Sequence, residues 1–144
     1  MLLHRDIARA LIIESYADLQ AARALLDAKI YARSMAHCQQ SVEKALKAAL
    51  AVRDVIVTDR HEVSEDFRET YADWPLGSEL ADIAATTESI GFRTEYPLFG
   101  RRDLPIWIPS EQYSEVDARN FLQKATRIFE AVEADLASNH NVHR

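Results

Sequence analysis

Four polar side chains recur at helical spacing in the second quarter of the chain, namely Arg33, His37, Gln40 and Lys44. Residues three or four positions apart lie on the same side of an α-helix, so these four form one stripe. Arginine, histidine and lysine donate hydrogen bonds to phosphate, and glutamine can bond a base edge or the backbone of a partner. The stripe therefore predicts a binding site for a phosphate-bearing ligand. Its alternative role is the solvated face of a surface helix.

The stripe lies on a segment, Tyr31 to Leu50, whose composition favours helix because it contains no glycine or proline and is rich in alanine. A second face of this segment is apolar at the same spacing and must be buried: Met35, Cys38, Val42, Leu46 and Ala49. On that face Cys38 is expected to act as a small hydrophobe and not as a nucleophile. As the only cysteine it allows no intramolecular disulfide, which favours a cytoplasmic location.

The whole pattern predicts an all-α protein, an up-and-down antiparallel bundle of four main helices plus one short extra helix. The main helices are expected from about Arg5 to Ala28, from Tyr31 to Leu50, from Gly77 to about Phe92, and from a cap at Ser114 to about Leu136. The short helix is expected to begin with Asp59 as its N-cap and Glu62 three residues on. We expect one domain over residues 1–137, followed by a polar tail over residues 138–144.

Charge is distributed unevenly along the chain, whose net charge is −6. Residues 1–57 hold 8 basic and 6 acidic residues, a balance of +2, whereas residues 58–144 hold 9 and 17, a balance of −8. The net charge argues against simple coating of nucleic acid, which needs clustered basic residues. A phosphate-bearing ligand should therefore favour the first two helices. No stretch approaches the ~20 apolar residues that cross a bilayer, so we expect no membrane partner.

Several kinds of chemistry are absent from the sequence. Its three glycines are not clustered, which excludes a P-loop or a dinucleotide-binding fingerprint. His61 and Glu65 have the spacing of metal ligands on a helix, but no third ligand accompanies them. We therefore expect neither a cofactor nor a metal.

The segment His37-Cys38-Gln39-Gln40-Ser41-Val42-Glu43-Lys44-Ala45-Leu46-Lys47-Ala48 resembles the signature helix of the HEPN (higher eukaryotes and prokaryotes nucleotide-binding) family. That signature reads roughly Ala-Gln-Gln-Ala-x-Glu-Lys-x-Leu-Lys-Ala. A later segment, Phe92-Arg93-Thr94-Glu95-Tyr96-Pro97, resembles the Arg-Tyr-Pro element of many HEPN sequences, with Glu95 where arginine is common. The resemblance implies the helical bundle expected above. It also adds Arg93 to the candidate ligand-binding residues.

Many HEPN proteins are metal-independent ribonucleases in which an arginine precedes a histidine by four to six intervening residues. No arginine and histidine in this sequence have that spacing; the candidate pair Arg33 and His37 has three intervening residues. The resemblance therefore implies a protein that is more readily a binding module than an enzyme, and it identifies no catalytic residue.

Three functions remain open. The first is a non-catalytic homodimeric module that binds a nucleotide or an RNA end through Arg33, His37, Gln40, Lys44 and Arg93. The second is the interaction subunit, toxin–antitoxin-like, of a minimal nucleotidyltransferase. The third is a degenerate ribonuclease. The apolar loop Ile106-Trp107-Ile108 predicts dimerisation or docking of a partner in either of the first two cases.

Overall fold

A computed structural model describes residues 3–91, 94–99 and 105–144 of the chain. Within these ranges six helices follow one another: α1 (His4–Asp27), α2 (Tyr31–Ala51), α3 (Ser64–Thr70), α4 (Gly77–Gly91), α5 (Pro109–Gln112) and α6 (Glu115–His140). The predicted all-α bundle of four main helices, α1, α2, α4 and α6, is confirmed. One short helix, α3, was expected. The single turn α5 was not, because four residues in a proline-rich stretch carry no helical periodicity.

The central element of the bundle is α2, which contacts each of the other five helices and packs mainly against α1 and α6. Fourteen of its 21 residues are buried, including the predicted apolar face. Small residues bring α1 and α2 close together: Ser15 and Ser41 each donate a hydroxyl hydrogen bond to the other's carbonyl oxygen, at 2.7 and 2.9 Å. These two bonds fix the register between α1 and α2.

The residue that follows α3, Tyr71, is fully buried and anchors that helix to the core. The hydroxyl of Tyr71 donates to the carbonyl oxygen of Ala49 at 2.7 Å, and its ring lies under the guanidinium of Arg53, 3.8 Å from the ring centre. Burial raises the pKa of the Tyr71 hydroxyl above its ordinary value, which keeps it a donor. The start of α4, six residues later, requires glycine because a Cβ on Gly77 would lie 2.4 Å from the Tyr71 carbonyl oxygen.

The start of α3 differs from the prediction. Asp59 does not cap it, because α3 begins at Ser64, and both Asp59 and Glu62 are exposed. A carboxylate from α4 takes the capping role: Glu88 accepts hydrogen bonds from the backbone N–H groups of residues 63 and 64, at 2.9 and 3.0 Å, and from the Ser64 hydroxyl at 2.6 Å. The cap is a tertiary contact, which local spacing does not reveal.

The last helix begins where the sequence predicts and ends later than expected. Ser114 and Asp117 form its capping box. The helix continues to His140, Asn141 adopts the left-handed conformation (φ 53°), and Val142 is buried. Arg144 then lies over the ring of Tyr16, and Arg9 donates to the carbonyl oxygen of His143, so the end of the expected polar tail contacts α1. Among the described residues, no helix is long and apolar enough to cross a membrane.

Candidate functional site

The predicted stripe lies on α2, and part of it faces a buried carboxylate from α1. One oxygen of Asp18 is 3.2 Å from Nδ1 of His37, and the other is 2.5 Å from Nζ of Lys44. The Asp18 side chain is only 11% exposed, whereas those of His37 and Lys44 are 35% and 31% exposed. The structure thus brings two of the predicted donors together around an acceptor that the chain itself supplies.

The other half of the stripe holds the segment that follows α4. Nη1 of Arg33 donates to the carbonyl oxygen of Thr94 at 2.7 Å, and Nε2 of Gln40 donates to Oε1 of Glu95 at 3.1 Å. Thr94 is fully buried. The remaining predicted residue, Arg93, lies outside the described residues. We call Asp18, Arg33, His37, Gln40, Lys44 and Glu95 together the polar seam.

Electrostatically, the polar seam is close to balanced. Two permanent cations, Arg33 and Lys44, and the titratable His37 face the carboxylates of Asp18 and Glu95. All four predicted donors have intramolecular partners in the structure. A phosphate group could bind His37 and Lys44 only in competition with Asp18, because like charges at such distances repel strongly in a partly buried site.

The segment fixed by the polar seam carries an exposed apolar surface that the sequence indicated only in part. Its backbone is held by two hydrogen bonds between Leu98 and Trp107, at 2.9 and 3.0 Å. Trp107, predicted to be part of the docking loop, is half-buried with its ring edge-on to Tyr113 at 6.0 Å. The exposed residues around it are Tyr96 (56%), Phe99 (82%), Ile106 (62%) and Ile108 (37%).

We call these four residues, Tyr96, Phe99, Ile106 and Ile108, the apolar ridge. Its isoleucines were expected from the sequence, but Tyr96 and Phe99 were missed. Phe99 is preceded by a proline and a leucine and followed by a glycine, and this local sequence does not decide whether the ring is buried. The structure shows that the side chain of Phe99 is exposed, next to the backbone pairing of Leu98 with Trp107.

Two other kinds of site were considered, a reactive thiol and a metal site. Cys38 is fully buried, and burial raises the pKa of its thiol to about 12, so the nucleophilic thiolate is scarce at neutral pH. Throughout residues 3–91, 94–99 and 105–144, no three His, Cys, Asp or Glu side chains are grouped so as to hold a metal ion.

Comparison with known proteins identifies the bundle. A family model described as the HEPN domain matches residues 8–135, which span most of α1 and α6 and all of the four helices between them. The chain belongs to the HEPN family. The resemblance seen in residues 37–48 is thereby confirmed at the level of the family.

One relative of this HEPN protein is "Putative toxin MJ1304" of Methanocaldococcus jannaschii, which is 30% identical over 144 residues, covering 94% of this chain and 91% of the relative. Two solved structures have a similar fold. TT1696 from Thermus thermophilus matches with a TM-score of 0.71 and 25% identity, over 90% of this chain and 98% of that one. ST0689, described as an archaeal HEPN homologue, matches with a TM-score of 0.66 and 21% identity, over 94% and 99%.

Proposed function

We propose that this HEPN protein is a non-catalytic, protein-binding subunit of a toxin–antitoxin-like pair, and that the apolar ridge is its docking surface. The observation that carries the proposal is the exposure of Phe99 and Ile106, at 82% and 62%, on a segment fixed to the bundle. The name of the relative from Methanocaldococcus jannaschii, which calls it a toxin, supports such a context. The partner we propose is a minimal nucleotidyltransferase, as the family resemblance suggests.

The apolar ridge is suited to docking because its side chains are apolar and its segment is held in place. Burying a large apolar side chain contributes roughly 1.5–3 kcal/mol, and aromatic residues are enriched among the residues that dominate binding energy. A flexible loop would lose part of this energy on being ordered. Here Arg33 bonds the backbone at Thr94, Gln40 bonds the side chain of Glu95, and Leu98 pairs with Trp107, so the segment is held before any partner binds.

The test is co-expression with the nucleotidyltransferase encoded nearest on the chromosome, followed by size-exclusion chromatography with light scattering. We expect the two proteins to elute together. The variant Phe99→Asp should lose the complex, because a carboxylate would be buried without a partner. A matched control, Val116→Asp, places the same charge at a residue that is 75% exposed on α6 and should keep it. Equal complex formation by both variants would exclude the ridge as the docking surface.

We also propose that a second copy of the chain can bind the apolar ridge, which would make the protein a homodimer. Light scattering of the purified protein at tens of micromolar, roughly the range in which weak specific dimers persist, would show a dimer that Phe99→Asp converts to a monomer. A wild-type monomer would leave the ridge to the nucleotidyltransferase alone.

Nucleotide or RNA-end binding at Arg33, His37, Gln40 and Lys44 is the second candidate function, and one observation favours it. His37 and Lys44 already hold a carboxylate in a partly buried position, so their donors are arranged around an anion. Calorimetric titration with ATP, ADP, GTP and AMP, with and without magnesium, tests it. Binding tighter than about 100 μM, worth roughly 5.5 kcal/mol, that weakens in Arg33→Ala would support it.

Ribonuclease activity is not part of the proposal. Prolonged incubation with RNA should leave it intact, since Arg33 and His37 lack the family spacing and bond the chain's own groups. Cleavage that disappears in both Arg33→Ala and His37→Ala would overturn the non-catalytic assignment.

A further inference from the structure

A second surface lies at the other end of α2 from the attachment of the apolar ridge. A cavity of about 450 Å³ opens between the first half of α1 and the connection from α2 to α3. Its walls are mainly apolar and are formed by Ile7, Ala10, Leu11, Ala51, Ile56 and Val57. Ile56, at its edge, is 43% exposed. The volume lies within the range of about 300–1,000 Å³ that is typical of ligand sites.

The charges that line the cavity are predominantly negative. Asp6 and Glu14 lie on its α1 side. Lys47, the one lysine or arginine among the described residues that line the cavity, is buried and paired with Glu43 at 3.1 Å. Thr58 adds an uncharged hydroxyl. The lining with Glu43 therefore sums to two negative charges, and within the described ranges Glu14 takes part in no ion pair.

The surroundings of the cavity do not compensate this charge. Asp59 and Glu62, on the same connection, are exposed and likewise make no ion pair with any described residue. The nearby basic side chains already have partners. His4 bonds Asp54 at 2.5 Å, Arg60 bonds Asp66 at 3.1 Å, and His61 contacts Glu43 at 3.0 Å. Along α1, Arg5 and Arg9 fall on faces turned away from the lining positions, because successive residues are 100° apart.

We infer that this cavity receives, from a protein partner, an apolar side chain flanked by lysine or arginine. The walls suit an apolar anchor, and the uncompensated carboxylates attract a cation while repelling nucleic acid, free phosphate and anionic lipid. The cavity is open on one side. Grooves that accept side chains presented by a helix are open in the same way. The inference rests on the proposed function in one respect, namely that the protein's partners are proteins.

The cavity and the apolar ridge adjoin different stretches of α2. The ridge segment is attached at Gln40, and the nearest α2 residue that lines the cavity is Lys47, seven residues further along α2 and so about 10 Å along its axis. The HEPN chain thereby has two protein-binding surfaces of different character, one apolar and projecting and one concave and acidic. Such a chain can bridge two partners.

The probes for the cavity are two blocked, alanine-based helical peptides with leucine and phenylalanine four residues apart. One carries three arginines beside these anchors, and the other carries three glutamates. We expect the arginine peptide to bind the purified protein with a Kd of about 100 μM and to bind about fivefold more weakly in 0.5 M salt, because salt screens exposed charges. The glutamate peptide should not bind. Fluorescence anisotropy measures both.

Variants locate the binding. Ala10→Trp places an indole at the mouth of the cavity and should weaken binding of the arginine peptide at least tenfold, whereas Ala134→Trp, at an exposed position of α6, should not. Glu14→Gln should weaken it about threefold, in proportion to one lost charge interaction of roughly 0.6 kcal/mol. Phe99→Asp should leave it unchanged, which separates this test from that of the apolar ridge.

Three results with the peptides would overturn the inference. They are no saturable binding of the arginine peptide up to 1 mM, equal binding of the two peptides, and unchanged binding in Ala10→Trp. Binding of 4-phenylbutylammonium with no binding of either peptide would assign the cavity to a small organic amine and would likewise overturn the protein partner.

Discussion

The variant Asp18→Asn tests the polar seam directly. It keeps the shape of the side chain and removes the charge that faces both His37, at 3.2 Å, and Lys44, at 2.5 Å. If the seam is a structural ion pair that occupies an anion site, two effects must appear together. The fold must lose stability, and the affinity for phosphate-bearing ligands must rise.

The size of the stability loss follows from burial. Removing one partner of a fully buried ion pair costs about 3–5 kcal/mol, because the other charge is left unpaired in the interior. Here Lys44 and His37 are 31% and 35% exposed, so water can solvate them once Asp18 is neutral. The expected cost is therefore nearer that of one charge-assisted hydrogen bond, about 1–2 kcal/mol. In a chain of this size that corresponds to a Tm lower by about 3–6 °C.

The expected gain in anion affinity has the same electrostatic origin. Removing a like charge next to the site should favour an anion by about 1.4 kcal/mol, which is a tenfold lower Kd. Urea unfolding measures the first effect, and calorimetric titration with ATP measures the second. The matched control is Asp27→Asn, an exposed residue at the end of α1, for which both quantities should stay within about 0.5 kcal/mol of wild type.

Two outcomes for Asp18→Asn would contradict this reasoning, and each has a different meaning. Wild-type stability in Asp18→Asn would mean that the contacts with His37 and Lys44 contribute nothing, and the stripe would then be a solvated face. Lost stability without any gain in affinity for ATP would keep the ion pair and remove the nucleotide site. The double variant with Lys44→Met resolves the pair itself, with an expected coupling energy of about 1 kcal/mol.

Three further predictions concern the core and its helix ends. Glu88→Ala should lower the free energy of unfolding by about 2 kcal/mol, measured in urea, because it leaves the Ser64 end of α3 without its cap. Gly77→Ala should cost about 1–3 kcal/mol in the same measurement, since the new Cβ would lie 2.4 Å from the Tyr71 carbonyl oxygen. With a thiol pKa near 12, Cys38 should react with an aromatic disulfide reagent at pH 8 at least about a thousandfold more slowly in the folded protein than in urea.

The checks on these three predictions differ. Glu69→Ala removes an exposed glutamate of α3 and should change stability by less than about 0.5 kcal/mol; an equal loss in Glu88→Ala and Glu69→Ala would deny Glu88 its capping role. Full stability of Gly77→Ala would show that α4 can move away from the Tyr71 carbonyl without cost. Rapid modification of the folded thiol, with the Tm unchanged beforehand, would contradict the burial of Cys38.

The helices could be predicted from the sequence because each main helix buries a continuous apolar face. In α2 the predicted positions Met35, Cys38 and Val42 are all buried. Local spacing failed where a contact is made across the fold. The cap of α3 comes from Glu88, some 24 residues beyond the helix start, so the nearer Asp59 was chosen wrongly.

In the candidate site, too, local spacing predicted the positions of side chains but not the residues they contact. The spacing of Arg33, His37, Gln40 and Lys44 correctly placed four polar side chains on one side of α2. It could not show what they face, because Asp18 lies on another helix and Glu95 follows a third. In the sequence Asp18 is one acidic residue among apolar neighbours in a helix, a pattern in which a carboxylate is ordinarily solvated.

The stripe residues bond groups of the chain itself, and this favours protein binding over nucleotide binding as the function. A stripe of donors facing solvent would be available to any anion, whereas these donors hold Asp18 and the backbone after α4. Two of the four, Arg33 and Gln40, fasten the segment that carries Phe99, so their loss should reach the apolar ridge even if no nucleotide ever binds. Arg33→Ala therefore discriminates between the two functions. If it weakens the complex with the nucleotidyltransferase as Phe99→Asp does, while ATP shows no heat of binding to the wild type, the stripe serves to position a docking surface.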